Sequence, residues 1–158
     1  MRAAMIKNVV TALASVFLVG IIATEASEST KVIVDSYLQI HAALSADKVE
    51  GVKPAAAVIA NEAAKMGASG EAIVKAAKTM ESAGDLKTAR DAFGPLSDAV
   101  IAAASADGWK DVPGVKIGYC SMVDRSWIQK DAKVRNPYYG SQMLTCGELK
   151  DPGQGAKK

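Results

Sequence analysis

Thr30–Lys48 reads TKVIVDSYLQIHAALSADK. Within it Ile33, Tyr37, Ile40 and Leu44 recur at i, i+4, i+7 and i+11, the rhythm of a helix that buries one stripe. Thr30 stands where an N-cap is wanted, because a hydroxyl there accepts an otherwise orphaned backbone N–H. The spacing therefore predicts one helix from Thr30 to about Lys48.

Working outward, the same pattern returns three times. A second helix is expected to begin near Pro54, which a first turn tolerates, and to run through Val58 and Ile59 to about Met66. Gly67-Ala68-Ser69-Gly70 interrupts it. A third, Glu71 to Glu81, carries Ile73, Ala76, Ala77 and Met80 on one side. Gly84-Asp85 breaks the chain, and Asp85 is the expected N-cap of a fourth helix from Leu86 to about Ala104. Gly94-Pro95 falls inside that helix. An interior proline removes a hydrogen bond and crowds the preceding turn, so a kink or two shorter helices are expected there. The fold class that follows is mainly α: an antiparallel four-helix bundle with short connections. Its core is thin, because alanine is abundant and Phe93 is the only phenylalanine C-terminal to residue 26.

After Gly108 the composition changes. Trp109, Tyr119, Trp127, Tyr138 and Tyr139 all lie in the last third of the chain. Pro113, Gly114, Gly118 and Pro137 argue against long helices there. A short extended piece is expected over Val115–Tyr119, a helical turn over Asp124–Asp131, and a turn at Asn136-Pro137. This irregular, aromatic-rich segment, 109–149, is expected to pack on the bundle and supply the bulk that the alanines do not. A polar tail over 151–158 is expected to be disordered.

The same segment holds both cysteines, and each has a methionine nearby: Cys120 with Met122, Met143 with Cys146. Read as extended, Cys120 and Met122 share a face, since strand side chains alternate. Read as one helical turn, Met143 and Cys146 also share a face, with Gly147 as a left-handed helix stop. Thiolates and thioethers are soft donors that select Cu(I) over harder cations. The alternative is a Cys120–Cys146 disulfide. That bridge would stabilise a small domain by roughly 3 kcal/mol through loop closure. The two states also alternate in a third version, with a disulfide when empty and thiolates when loaded with Cu(I). His41, the only histidine, lies beside Ile40 and one turn from Tyr37. It reads either as a partly buried side chain with one hydrogen-bond partner or as an added copper ligand.

The 158 residues suffice for one domain. Residues 1–26 look like an export signal. Arg2 and Lys7 precede the apolar run Val9–Ala23, and Thr24-Glu25-Ala26 supplies small residues before a cut. The run is short for a spanning helix, so no stable membrane insertion is expected once it is removed, and 27–150 forms the domain. Losing Arg2, Lys7 and Glu25 takes the formal charge from +2 to +1. Such a balance, with signs interspersed, gives no footprint for nucleic acid. Asp124, Arg125, Lys130, Asp131, Lys133 and Arg135 read as a solvated surface or as a docking rim. Export to the periplasm or beyond makes both cysteine fates natural, since thiols there are either oxidised or held by a metal.

The order Cys120-Ser121-Met122, Trp127-Ile128, Asn136-Pro137-Tyr138-Tyr139-Gly140, Met143-Leu144 and Cys146-Gly147 resembles a family of small exported domains of unknown function. Its pattern is C-P-M, W-L and N-P-Y-[FY]-G-x-x-M-L-x-C-G, and it occurs also on adaptor subunits of heavy-metal efflux pumps. Tyr37, Leu44, Asp47, Arg90-Asp91-Ala92-Phe93 and Leu96-Ser97 resemble its helical half. Ser121 departs from the family's proline, which would stiffen the approach to the first sulfur pair. The resemblance implies copper handling and an envelope metal-efflux or metal-handling protein as partner. The expectation is an exported Cu(I)-binding carrier, buffer or efflux partner that needs no catalysis, with Cys120, Met122, Met143 and Cys146 as ligands and His41 as an added one. Beside it stands a disulfide-held interaction module of the envelope. An enzyme built on a cysteine thiolate is a third reading, without a base to support it.

Overall fold

Apolar residues three and four apart, punctuated by glycine and capped at Asp85, give four helices in the computed structural model, which describes residues 28–153. The expected export signal over 1–26 and the last residues of the tail lie outside the described residues. Helix α1 spans 28–45, α2 Val52–Lys65, α3 Glu71–Ser82 and α4 Leu86–Ala106. A 3-10 turn, Gly67–Gly70, joins α2 to α3. The stripe Ile33, Tyr37, Ile40 and Leu44 is buried as its spacing requires. It meets Ala56, Ile59, Ile73, Ala77, Met80, Phe93, Leu96 and Val100 in one core.

Local chemistry fixes the start of α4. Asp85 caps α4 by accepting the Thr88 N–H at 2.8 Å, and Thr88 Oγ1 accepts the Asp85 N–H in return at 3.2 Å, a reciprocal capping box. Thr30 is not an N-cap: α1 already runs through Glu28 and Ser29, and Thr30 is a buried residue within it. Nor does Pro95 divide α4, which continues unbroken from Leu86 to Ala106. Gly94 beside it is buried under β2: a methyl group added there would approach the Arg125 Nε to 3.1 Å.

Beyond α4 the chain forms a small antiparallel sheet, in the order β2-β1-β3. Strand β1 is Lys116–Cys120, β2 Arg125–Gln129 and β3 Glu148–Lys150. The sheet replaces the helical turn expected over Asp124–Asp131. Asp124 takes a left-handed φ of 51° and closes a tight turn, 121–124, whose carboxylate accepts from the Tyr119 hydroxyl at 2.8 Å. That reversal lays Ile128 opposite Ile117 and Trp127 opposite Gly118. Gly118 is required here, since a Cβ would overlap the Trp127 indole. Strand β3 is polar and short, and it pairs Leu149 with Gly118 through the backbone, which hydrophobic patterning does not announce.

Helix and sheet meet through aromatic rings. Tyr37 stacks on Phe93 at 5.0 Å, Phe93 meets Tyr138 at 5.6 Å, and Tyr138 meets the edge of Trp127 at 6.1 Å. This is the bulk the alanine-rich bundle lacks; each such pair adds about 1 kcal/mol beyond area burial.

Candidate functional site

Cys120 is the last residue of β1, and Cys146 follows a turn in which its own N–H donates to the Met143 carbonyl at 3.0 Å. The two sulfurs lie 3.1 Å apart, and both residues are thiols. Cys120 is fully buried; Cys146 is partly exposed.

The loop that delivers Cys146 is held from one buried residue, Asn136. Its N–H donates to the Leu144 carbonyl at 2.8 Å and its Nδ2 to the Cys146 carbonyl at 2.9 Å. Its Oδ1 accepts the Tyr138 N–H at 2.9 Å, and its carbonyl accepts the Gly140 N–H at 3.0 Å. A side-chain amide can serve several backbone groups at once, and here it ties the Asn136–Gly140 turn and the Met143–Cys146 turn together. Gly140 adopts φ 54° and packs where a side chain would overlap Asp47 and Arg90.

The turn is then clamped to the bundle. Arg90 donates through Nε to the Pro137 carbonyl at 3.0 Å and through Nη2 to the Leu44 carbonyl at 3.0 Å and to Asp47 at 2.5 Å. The second Asp47 oxygen accepts the Ser141 N–H at 3.1 Å. The bonds from Ser141 and the Arg90 guanidinium hold the Asp47 carboxyl at about 2. On the other side Gln129, fully buried, accepts from Trp127 Nε1 at 2.8 Å and from the Arg135 N–H at 3.0 Å. Its Nε2 donates to the carbonyls of Asp131 and Lys133.

His41 belongs to this scaffold. It is buried, and Nε2 donates to the Arg135 carbonyl at 2.8 Å, which also accepts from Ser45 Oγ at 3.3 Å. Burial lowers its pKa from the ordinary histidine value, against the bond to Arg135, which raises it. One ring nitrogen of His41, Nε2, is thus committed to the loop one residue before Asn136.

The electrostatics of the two thiols differ. Burial pushes the Cys120 thiol up, but the Cys146 thiol, the N–H groups of Val123 and Met122 and the Asn136 side chain all donate to its sulfur. The net shift is downward. Cys146 shifts upward, chiefly because it shares its proton with Cys120. A sulfur surrounded by donors is a site for a thiolate.

The methionines stand apart from both expected geometries. Met122 lies in the turn after β1 and not in the strand, and 65% of it is exposed. Met143 is 36% exposed at the end of the 3-10 turn Gly140–Gln142, so the segment Met143–Cys146 is a hydrogen-bonded turn and not a helical one. Gly147, with φ 131°, is no left-handed helix stop; it sits where a Cβ would meet the Tyr119 carbonyl at 2.7 Å. Among the described residues no three of His, Cys, Asp and Glu gather. The only sulfurs brought into contact among the described residues are those of Cys120 and Cys146.

Two residues that organise the site, Asn136 and Gln129, are not singled out as functional by sequence reasoning. For Asn136 the signal is an Asn-Pro pair ahead of two aromatics; for Gln129 no local signal exists, because only its burial makes it a hub.

The family described as protein of unknown function (DUF3347) matches residues 33–111. The chain belongs to this family. The DUF3347 match covers the bundle from Ile33 of α1 to beyond the end of α4 and stops before β1, so the thiol pair lies outside it. Inside the DUF3347 region, Tyr37, Asp47, Arg90, Phe93 and Ser97 turn toward the segment that carries the cysteines. No curated protein and no solved structure matches the chain. Among the described residues no helix is long and apolar enough to cross a membrane.

Proposed function

We propose that this DUF3347 protein is an exported Cu(I)-binding protein, a carrier or buffer that works with an envelope metal-efflux or metal-handling partner. The observation that carries the reading is the meeting of Cys120 and Cys146, 26 positions apart, at 3.1 Å inside a scaffold held by Asn136. Soft thiolates favour Cu(I), and two exposed methionines on the flanking turns offer thioethers to the same ion. His41 is given a positioning role, through Arg135 and the loop, instead of a ligand's. The address rests on the signal-like sequence over 1–26, and the partner on the resemblance of the Cys120–Gly147 motif to domains of efflux adaptors.

Fit requires a small movement. Metal–sulfur bonds of about 2.3 Å separate two sulfurs by about 3.8 Å in a tetrahedral site and by about 4.6 Å in a linear one. The pair must therefore open slightly, and Cys146, on a turn and partly exposed, is the side free to move. The observed separation equally favours a second reading, a disulfide-held interaction module of the envelope.

A Cu(I) titration of the reduced protein against a competing chelator tests the proposal. One tight site is expected, weakened at least about tenfold by Cys146→Ser and less by Met143→Leu. Equal affinity in wild type and Cys146→Ser would remove the thiol pair from consideration, and an absence of tight binding would leave the disulfide-held module.

A further inference from the structure

We propose that Cys120 and Cys146 form a dithiol–disulfide couple that exchanges with external disulfides, with Cys146 as the attacking sulfur and Cys120 as the resolving one. The inference is independent of any metal. It rests on an asymmetry of place: one sulfur is reachable and the other is enclosed, yet they touch.

Thiol–disulfide exchange needs a thiolate that an outside disulfide can reach. Cys120 is sealed beneath the β1–β2 turn, so a second molecule meets Cys146 first. The sulfur that follows must already be close, and 3.1 Å is about 1 Å from the length of a disulfide bond.

The steps balance. With one of the two thiol protons first released to solvent, the remaining proton passes from Cys146 to Cys120 as Cys146 attacks a disulfide RSSR. A Cys146–SR mixed disulfide forms and the first RS⁻ leaves, taking up the proton that Cys120 then gives up through water. The Cys120 thiolate next attacks Cys146 Sγ, the Cys146–SR bond breaks, and the second RS⁻ leaves and is protonated from solvent. Two protein thiols have been oxidised and one RSSR reduced to two RSH. Reaction with two external thiols runs the sequence backwards. In the bridged state neither sulfur is available as a thiolate, so the couple opens and closes the pair to any other use.

The full chain, reduced and freed of metal, is mixed with oxidised glutathione, quenched with acid and weighed intact. Wild type is expected to lose two hydrogens with no lasting adduct. Cys120→Ser is expected to accumulate one glutathione, and Cys146→Ser to react at least about tenfold more slowly. Should a variant fail to fold, wild type still decides: a limiting dose of iodoacetamide, mapped by peptide mass, is expected to mark Cys146 ahead of Cys120. Faster reaction at Cys120 by either route, or a wild type that stops at the mixed disulfide, would overturn the proposal. Because no copper is present, these outcomes leave the Cu(I) reading untouched.

Discussion

The Tyr37 hydroxyl on α1 accepts the backbone N–H of Ile128 on β2 at 3.2 Å. Strand β2 is an edge of its sheet, and edge N–H groups are left without a ladder partner. A side chain from the first helix therefore completes the last third of the chain. The same hydroxyl bonds Ser97 on α4, so three elements meet on one oxygen.

Removing that oxygen should loosen the sheet from the bundle. Tyr37→Phe keeps the stack on Phe93 but orphans a buried N–H, at a cost of about 1–3 kcal/mol. Urea unfolding monitored by Trp fluorescence measures it. A loss below about 0.5 kcal/mol would mean that the edge of β2 does not depend on the phenol.

Two glycines make a controlled pair. Gly118→Ala drives a methyl group into the Trp127 indole, and overpacking of this kind costs about 1–3 kcal/mol. Gly84→Ala meets nothing within 4 Å at an ordinary φ and should be neutral or stabilise by up to about 1 kcal/mol. Thermal melts of both variants compare them directly, and equal melting temperatures would contradict the close contact at Gly118.

Asn136→Ala removes the side-chain bonds to Cys146 and Tyr138 and a donor from the Cys120 sulfur. Loss of at least about 2 kcal/mol is expected, because buried backbone groups are left unpaired. The loop over the thiols should open as well. Iodoacetamide should then label Cys120 faster than in wild type under native conditions, and unchanged labelling would argue that the Arg90 and Gln129 anchors suffice.

Acid should act in two separate windows. Burial lowers the His41 pKa below its unfolded value near 6.5. Its contribution is thus fully present above that value and is lost as pH falls through the range beneath it, since the unfolded state binds the proton more readily. The facing groups are Ser45, Arg135 and Asp131. Asp47, drawn from 3.8 to about 2, contributes above pH 3.8 and loses that contribution as pH falls toward 2. Unfolding midpoints measured from pH 8 to 2 should fall in both windows. His41→Gln should flatten only the upper one and Asp47→Asn only the lower.

The helices were legible because their determinants are local. The Ile33–Leu44 stripe, the Gly67–Gly70 interruption and the Asp85 cap each act within a few residues. The β2 strand was misread as a helical turn because Arg125–Gln129 is amphipathic at neither period. Its state is set by pairing with β1 and by cover from α4 and Tyr37. The shared face expected of Cys120 and Met122 required a strand running through Met122, but β1 ends at Cys120.

By itself the sequence determined four amphipathic helices, the Asp85 cap and the gathering of aromatics and sulfurs into the last third, because periodicity, propensity and capping are short-range. Only the tertiary structure decided that Cys120 and Cys146 touch while Met122 and Met143 face outward, and that His41 anchors a loop at Arg135. Those outcomes depend on contacts between residues 26 and 94 positions apart. Such contacts form only when the whole core closes around Tyr37, Asn136 and Gln129.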